Sequence, residues 1–111
     1  MSKPLMMTKV KNMFREFEGL EFSLKNIRIN GDPRGCSGFI RNANNGKIVY
    51  LNTEQYGEGG LWGDKNKEIM YRTAPEIGKY SNHGYNQWCS AESLVKNVLV
   101  ALEHKNGAGI S

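Results

Sequence analysis

The spacing of apolar residues changes period twice along this chain, and that change limits the folds open to it. At the N-terminal end, residues 5–17 (LMMTKVKNMFREF) place Met6, Val10, Met13, Phe14 and Phe17 at helical spacing, with Lys9, Lys11, Arg15 and Glu16 on the other side. Pro4 suits a first turn and Gly19 a stop. At the other end, Leu94, Val95, Val98, Leu99 and Leu102 form one apolar face in AESLVKNVLVALEHK. Ser90 stands at its N-cap position, Glu92 near the positive end, and His104 and Lys105 near the negative end. Asn106-Gly107 follows as a stop, and residues 107–111 form a frayed tail.

Between these two segments the period is two. Leu20, Phe22 and Leu24 alternate with Glu21, Ser23 and Lys25, then the pattern slips to Ile27 and Ile29, which predicts a bulge near Lys25-Asn26. Asn30-Gly31-Asp32-Pro33 reads as a turn, Ser37–Asn42 as a short strand, and Asn44-Asn45-Gly46 as a hairpin turn with positive φ at its central positions. Lys47–Thr53 reads as a central strand, and Lys67–Thr73 as the last strand, closed by Pro75. Helix, strands, helix in that order predicts an α+β domain over residues 1–111: a three- to four-stranded antiparallel sheet with an N-terminal and a C-terminal helix against one face.

A chain of 111 residues holds one modest core, which excludes a multidomain enzyme and the large cofactor folds. No apolar stretch reaches the roughly 20 residues of a spanning helix, and the first residues lack the apolar core and cleavage site of a signal peptide. The expectation is a cytoplasmic protein that does not enter a membrane. Its two cysteines, Cys36 and Cys89, then read as buried thiols rather than as a disulfide. The net charge of +4 is uneven: residues 1–50 carry nine basic and four acidic side chains, residues 51–111 six and seven. That imbalance suits an acidic partner, or it is simply a solvated basic surface.

Two connections exceed the usual four to six or so residues. Glu54–Asn66 carries Tyr56 and Trp62 among four glycines; Ala74–Cys89 carries Tyr80, Tyr85 and Trp88 among Asn, Ser, Gly and His83. Tyr and Trp beside Asn, Ser and Gly is the composition of adaptable recognition surfaces. The alternative is that these rings, Trp62 and Trp88 above all, cover the open face of the sheet.

Catalytic signatures are missing. There is no nucleophile elbow, zinc-protease helix, P-loop or dinucleotide fingerprint, and no pair of carboxylates is set on one helical face. A Cys–His nucleophilic pair would need His83 beside Cys36 or Cys89, and nothing in the spacing fixes it. Cys36, His83 and Cys89, with His104 or an acid as the fourth ligand, have the donor types for zinc, but the H-x₅-C spacing is no standard knuckle. Basic residues interleaved with aromatics suggest another role. Lys47, Tyr50, Tyr71 and Arg72 would form a small single-stranded RNA- or DNA-binding surface, zinc-stabilised in one version, if the two tyrosines share a sheet face.

From KIVYLNTE through IMYRTAPEIGKYSNHGYNQWC to the last helix, the chain resembles small α+β proteins of phages, plasmids and integrative elements of Gram-positive bacteria, among them anti-CRISPR inhibitors of type II effector nucleases. The resemblance implies a non-enzymatic, stoichiometric binder that blocks guide loading, target-DNA binding or nuclease movement inside the host cell. The basic N-terminal half departs from an acidic DNA mimic and suits docking on a protein lobe or on the guide RNA. On this reading the contact surface is Tyr56, Trp62, Tyr80, His83, Tyr85 and Trp88, with Arg72 and Lys79 at its rim, since aromatic anchors dominate interface energetics.

Overall fold

The computed structural model describes residues 5–54, 69–75 and 86–104. Its elements are α1 (Met7–Met13), β1 (Leu20–Ile29), β2 (Asp32–Asn42), β3 (Ile48–Asn52), β4 (Ile69–Ala74), β5 (Gln87–Cys89) and α2 (Ala91–Ala101). The described strands form one antiparallel meander in the order β1-β2-β3-β4-β5, so the fold is α+β with five strands where three or four were expected. The added strand is β5. It lies inside what the sequence presents as a loop, and it exists because Ile69 and Met70 of β4 pair with Cys89 and Trp88.

The first hairpin turns at Asn30-Gly31, with φ of 51° and 85°. Two consecutive residues with positive φ make the tight turn whose twist matches the flanking strands. This turn extends β2 back to Asp32, well before the Ser37 start expected, and the bulge falls between Ile27 and Arg28 rather than at Lys25-Asn26. The second hairpin uses Asn44-Asn45-Gly46 as expected, but only Gly46 takes positive φ, at 77°. The Asn42 carbonyl accepts from both Asn45 N–H and Gly46 N–H there, closing a wider turn.

Register sorts the side chains onto two faces. One carries Phe22, Ile40, Val49, Leu51, Ile69, Tyr71, Cys36 and Cys89, and both helices cover it. Helix α1 packs on β1 and β2, with Val10 and Phe14 fully buried; α2 packs on β4 and β5 through Leu94, Val98 and Leu99. Each such side chain contributes roughly 1.5–3 kcal/mol on leaving water. Helix α1 is shorter than its apolar stripe suggests: it ends at Met13, and Phe17 lies beyond it, edge-on to the His104 ring at 5.9 Å.

Ser90 caps α2 as the sequence indicates, its hydroxyl accepting from Ser93 N–H at 3.3 Å. The C-terminal end comes earlier than Asn106. Glu103 N–H donates to Val100 O, His104 N–H donates to Leu99 O, and Glu103 takes φ of 50°, which together form a Schellman cap. His104 therefore lies just beyond the helix, at its C-terminal end. It is buried, and its Nε2 lies 2.8 Å from the Glu18 carbonyl, which can only accept, so this nitrogen carries the proton. The β2–β3 hairpin secures the same helix end: Asn42 and Asn45 side-chain amides donate to the Leu102 carbonyl at 3.1 and 3.0 Å, and Lys47 pairs with Glu103 at 3.0 Å. Among the described residues no helix is long and apolar enough to cross a membrane.

Candidate functional site

The sheet's second face carries no helix among the described residues. Alternation assigns it Glu21, Ser23 and Lys25 from β1, Ser37, Phe39 and Arg41 from β2, Ile48, Tyr50 and Asn52 from β3, Met70 and Arg72 from β4, and Trp88 from β5. Two cross-strand rows run over it. In one, Phe39 pairs with Tyr50 and Tyr50 with Arg72; in the next, Ser37 pairs with Asn52, Asn52 with Met70, and Met70 with Trp88.

The first row is tightly tied. Phe39 and Tyr50 meet edge to face at 5.2 Å, and the Asn52 side-chain amide donates to the Tyr50 hydroxyl at 3.2 Å. Arg72 Nη1 donates to Asn86 Oδ1 at 3.1 Å, which orients the guanidinium toward β5. The second row ends in the open. Trp88 is 43% exposed, against 8% for Tyr50, so the face grades from a closed centre to an accessible aromatic at the β5 edge. An exposed indole and a hydrogen-bonded guanidinium on adjacent strands can take up a partner's apolar side chain and carboxylate or carbonyl groups.

Of the eight residues expected at a partner-binding surface, Arg72 and Trp88 lie in the described part of the chain, on this one face. Tyr56, Trp62, Lys79, Tyr80, His83 and Tyr85 lie outside the described residues. The alternative set does not converge. Tyr50 pairs with Arg72 while Tyr71 pairs with Leu51, so the two tyrosines project from opposite faces, and both rings are buried. Tyr71 instead donates its hydroxyl to Gln87 Oε1 at 3.0 Å beneath α2. Lys47 sits at the second hairpin against Glu103, away from the rows that carry Tyr50 and Arg72.

The cysteines are separated as well. Cys36 is on β2 and Cys89 on β5, with β3 and β4 between them, so about 14 Å of sheet divides them. One zinc ion, with bonds of about 2.3 Å to each sulfur, does not reach both. Neither forms a disulfide, and both are buried on the helix-covered face, as the sequence reading expected. Among the described residues no group of three or more potential metal ligands occurs. His83 lies outside them.

Burial raises the Cys36 thiol above its ordinary range, with the Thr53 hydroxyl acting in the opposite sense. The Tyr71 phenol is raised by burial and by the proximity of Cys89. Folded Cys36 thus keeps a proton that the unfolded chain releases above about pH 8.5. The stability this group contributes is accordingly full below that value and is lost as pH rises beyond it. Urea melts taken upward from neutral pH should show the decline, and Cys36→Ala should make it shallower; Tyr71 preserves part of it.

Sequence reasoning missed Phe39, Asn52 and Asn86 as members of this surface. Phe39 was legible as a strand centre, but only the pairing register places it beside Tyr50. Comparison with known protein families, with characterised proteins and with solved structures finds no match to this chain.

Proposed function

We propose that this chain is a non-enzymatic binding protein that docks a protein partner through the β4–β5 end of the sheet face opposite α1 and α2. The partner class is a nucleic-acid-processing complex, with an RNA-guided type II CRISPR effector nuclease as the specific case, which the chain would inhibit by occupancy. One observation carries the docking reading: Trp88, a large apolar side chain left 43% exposed, stands on the same face as Arg72, which Asn86 orients. Exposed indoles and ordered guanidiniums are the side chains on which interface energy concentrates. The nuclease assignment rests on the resemblance of the central and C-terminal segments to small mobile-element inhibitors. The positive charge of the first fifty residues fits a partner that carries or handles polyanions.

The test uses a purified type II effector nuclease, both empty and guide-loaded. Added in equimolar amount, the protein should co-elute with the effector on size exclusion and suppress target cleavage. Trp88→Ala should weaken binding by about thirtyfold and Arg72→Ala by about tenfold, values ordinary for central interface anchors. Lys9→Ala, on the exposed side of α1, should leave affinity unchanged. Co-elution with neither form of the effector overturns the nuclease assignment. Unaltered affinity of Trp88→Ala for a partner that does bind overturns the docking surface. A gel shift with single-stranded nucleic acid that fades steeply as salt rises would favour direct nucleic-acid binding instead.

A further inference from the structure

The two edges of the sheet are unequal. β5 offers three residues, while β1 offers ten, and among the described residues no strand pairs with the outer side of β1. A long strand with unpaired N–H and C=O groups is a template for another strand unless the chain guards it. Which groups face outward follows from the hydrogen bonds of β2. Asn42 N–H donates to Lys47 O on the β3 side, and Ala43 N–H donates to Gly19 O on the β1 side. Alternation then directs Glu21, Ser23 and Lys25 backbone groups toward β2. Those of Leu20, Phe22, Leu24 and Asn26 point outward.

We infer that this edge pairs with the same edge of a second copy, antiparallel, about a twofold axis through Ser23. That register sets Phe22 opposite Leu24 and Leu20 opposite Asn26, so every outward backbone group meets an outward group of the partner copy. On the helix-free face it sets Glu21 opposite Lys25, twice by symmetry. Each Glu21, already paired with Arg41 of its own chain at 2.5 Å, then lies between two cations in one cross-strand row. Moving the axis by one residue in the same parity loses this match: Glu21 or Lys25 would then face Ser23. On the helix-covered face, Leu20, Phe22 and Leu24 are only half-buried, and Phe22 joins the core through its ring contact with Phe14 at 6.1 Å. The second copy would cover that apolar row. The bulge at Ile27/Arg28 ends the regular ladder and limits the pairing to residues 20–26. The inference is independent of the partner-docking reading, which uses the opposite end of the sheet.

Sedimentation velocity and equilibrium on the whole chain across the micromolar range, with circular dichroism to confirm folding, test it. The unsubstituted protein should sediment as a dimer at the upper end of that range. Lys25→Glu and Glu21→Lys each place like charges opposite one another and should weaken self-association about tenfold. An equimolar mixture of the two variants restores attraction at both positions and should recover the dimer as a heterodimer. A monomer at every concentration overturns the inference. So does undiminished self-association of either folded variant, or failure of the mixture to recover what the separate variants lose.

Discussion

Gly38→Ala should cost this protein at least about 3–4 kcal/mol, a large fraction of the roughly 5–15 kcal/mol that holds a domain folded. Gly38 lies in β2 at φ of 149°, a conformation that L side chains rarely adopt. A Cβ there would run into the Ser23 carbonyl oxygen and stand 2.7 Å from the Leu24 Cα and 2.9 Å from the Ser23 carbonyl carbon. All three atoms are backbone of the adjacent strand, so no rotamer change relieves the clash. The strand pair must open, and with it the contact of β1 with α1. Gly46→Ala provides the comparison. It keeps the strain of a positive φ, 77°, but no atom lies within 4 Å of the added carbon, so the cost should be only about 1–2 kcal/mol. Urea unfolding of the two variants should separate them clearly. Equal losses would mean that β1 does not approach β2 as closely as described.

Thr53→Val is the second large effect, and it acts through hydrogen bonds rather than shape. Thr53 is fully buried just beyond β3. Its hydroxyl donates to the Leu5 carbonyl at 2.7 Å and accepts from Cys36 N–H at 2.9 Å, joining the segment that leads into α1 to the middle of the sheet. Valine fills the same volume but leaves a buried donor and a buried acceptor unmet, each costing about 1–3 kcal/mol, so the expected loss is about 2–6 kcal/mol. Thr53→Ser keeps both bonds and gives up one methyl, for about 1 kcal/mol. Loss in the serine variant equal to that in valine would assign Thr53 to packing alone.

These two positions also mark where sequence legibility ended. Strong local patterns were readable: the apolar face of α2 with its Ser90 cap, the alternation of Leu20, Phe22 and Leu24, and the Gly46 turn all rest on neighbours close in sequence. The first half of β2, Asp32-Pro33-Arg34-Gly35, has poor strand propensity and becomes a strand because the Asn30-Gly31 turn lays it against Arg28 and Ile29. β5 is too short to show a period at all; Cys89 finds its place through Ile69, distant in the chain.

The candidate site depended on register in the same way. A single-residue slip exchanges the two faces of a strand, and the long connection between Asn52 and Ile69 does not set the β3–β4 alignment as a tight hairpin would. Hence Tyr50 and Tyr71, each sensibly placed on a strand, could not be assigned to faces from the sequence. Arg72 and Trp88, two of the recognition residues the sequence suggests, occur on one face. Six of their proposed companions lie outside the described residues, so the surface argued from structure is Trp88, Arg72, Asn86 and Met70.

Fluorine NMR of the protein labelled at its two tryptophans addresses the docking surface most directly, with Trp88→Phe assigning the signals. On addition of a partner that binds, the Trp88 resonance should shift or broaden to the bound-state position in proportion to complex formed. A Trp88 signal that stays at its free position while the complex forms would contradict the account.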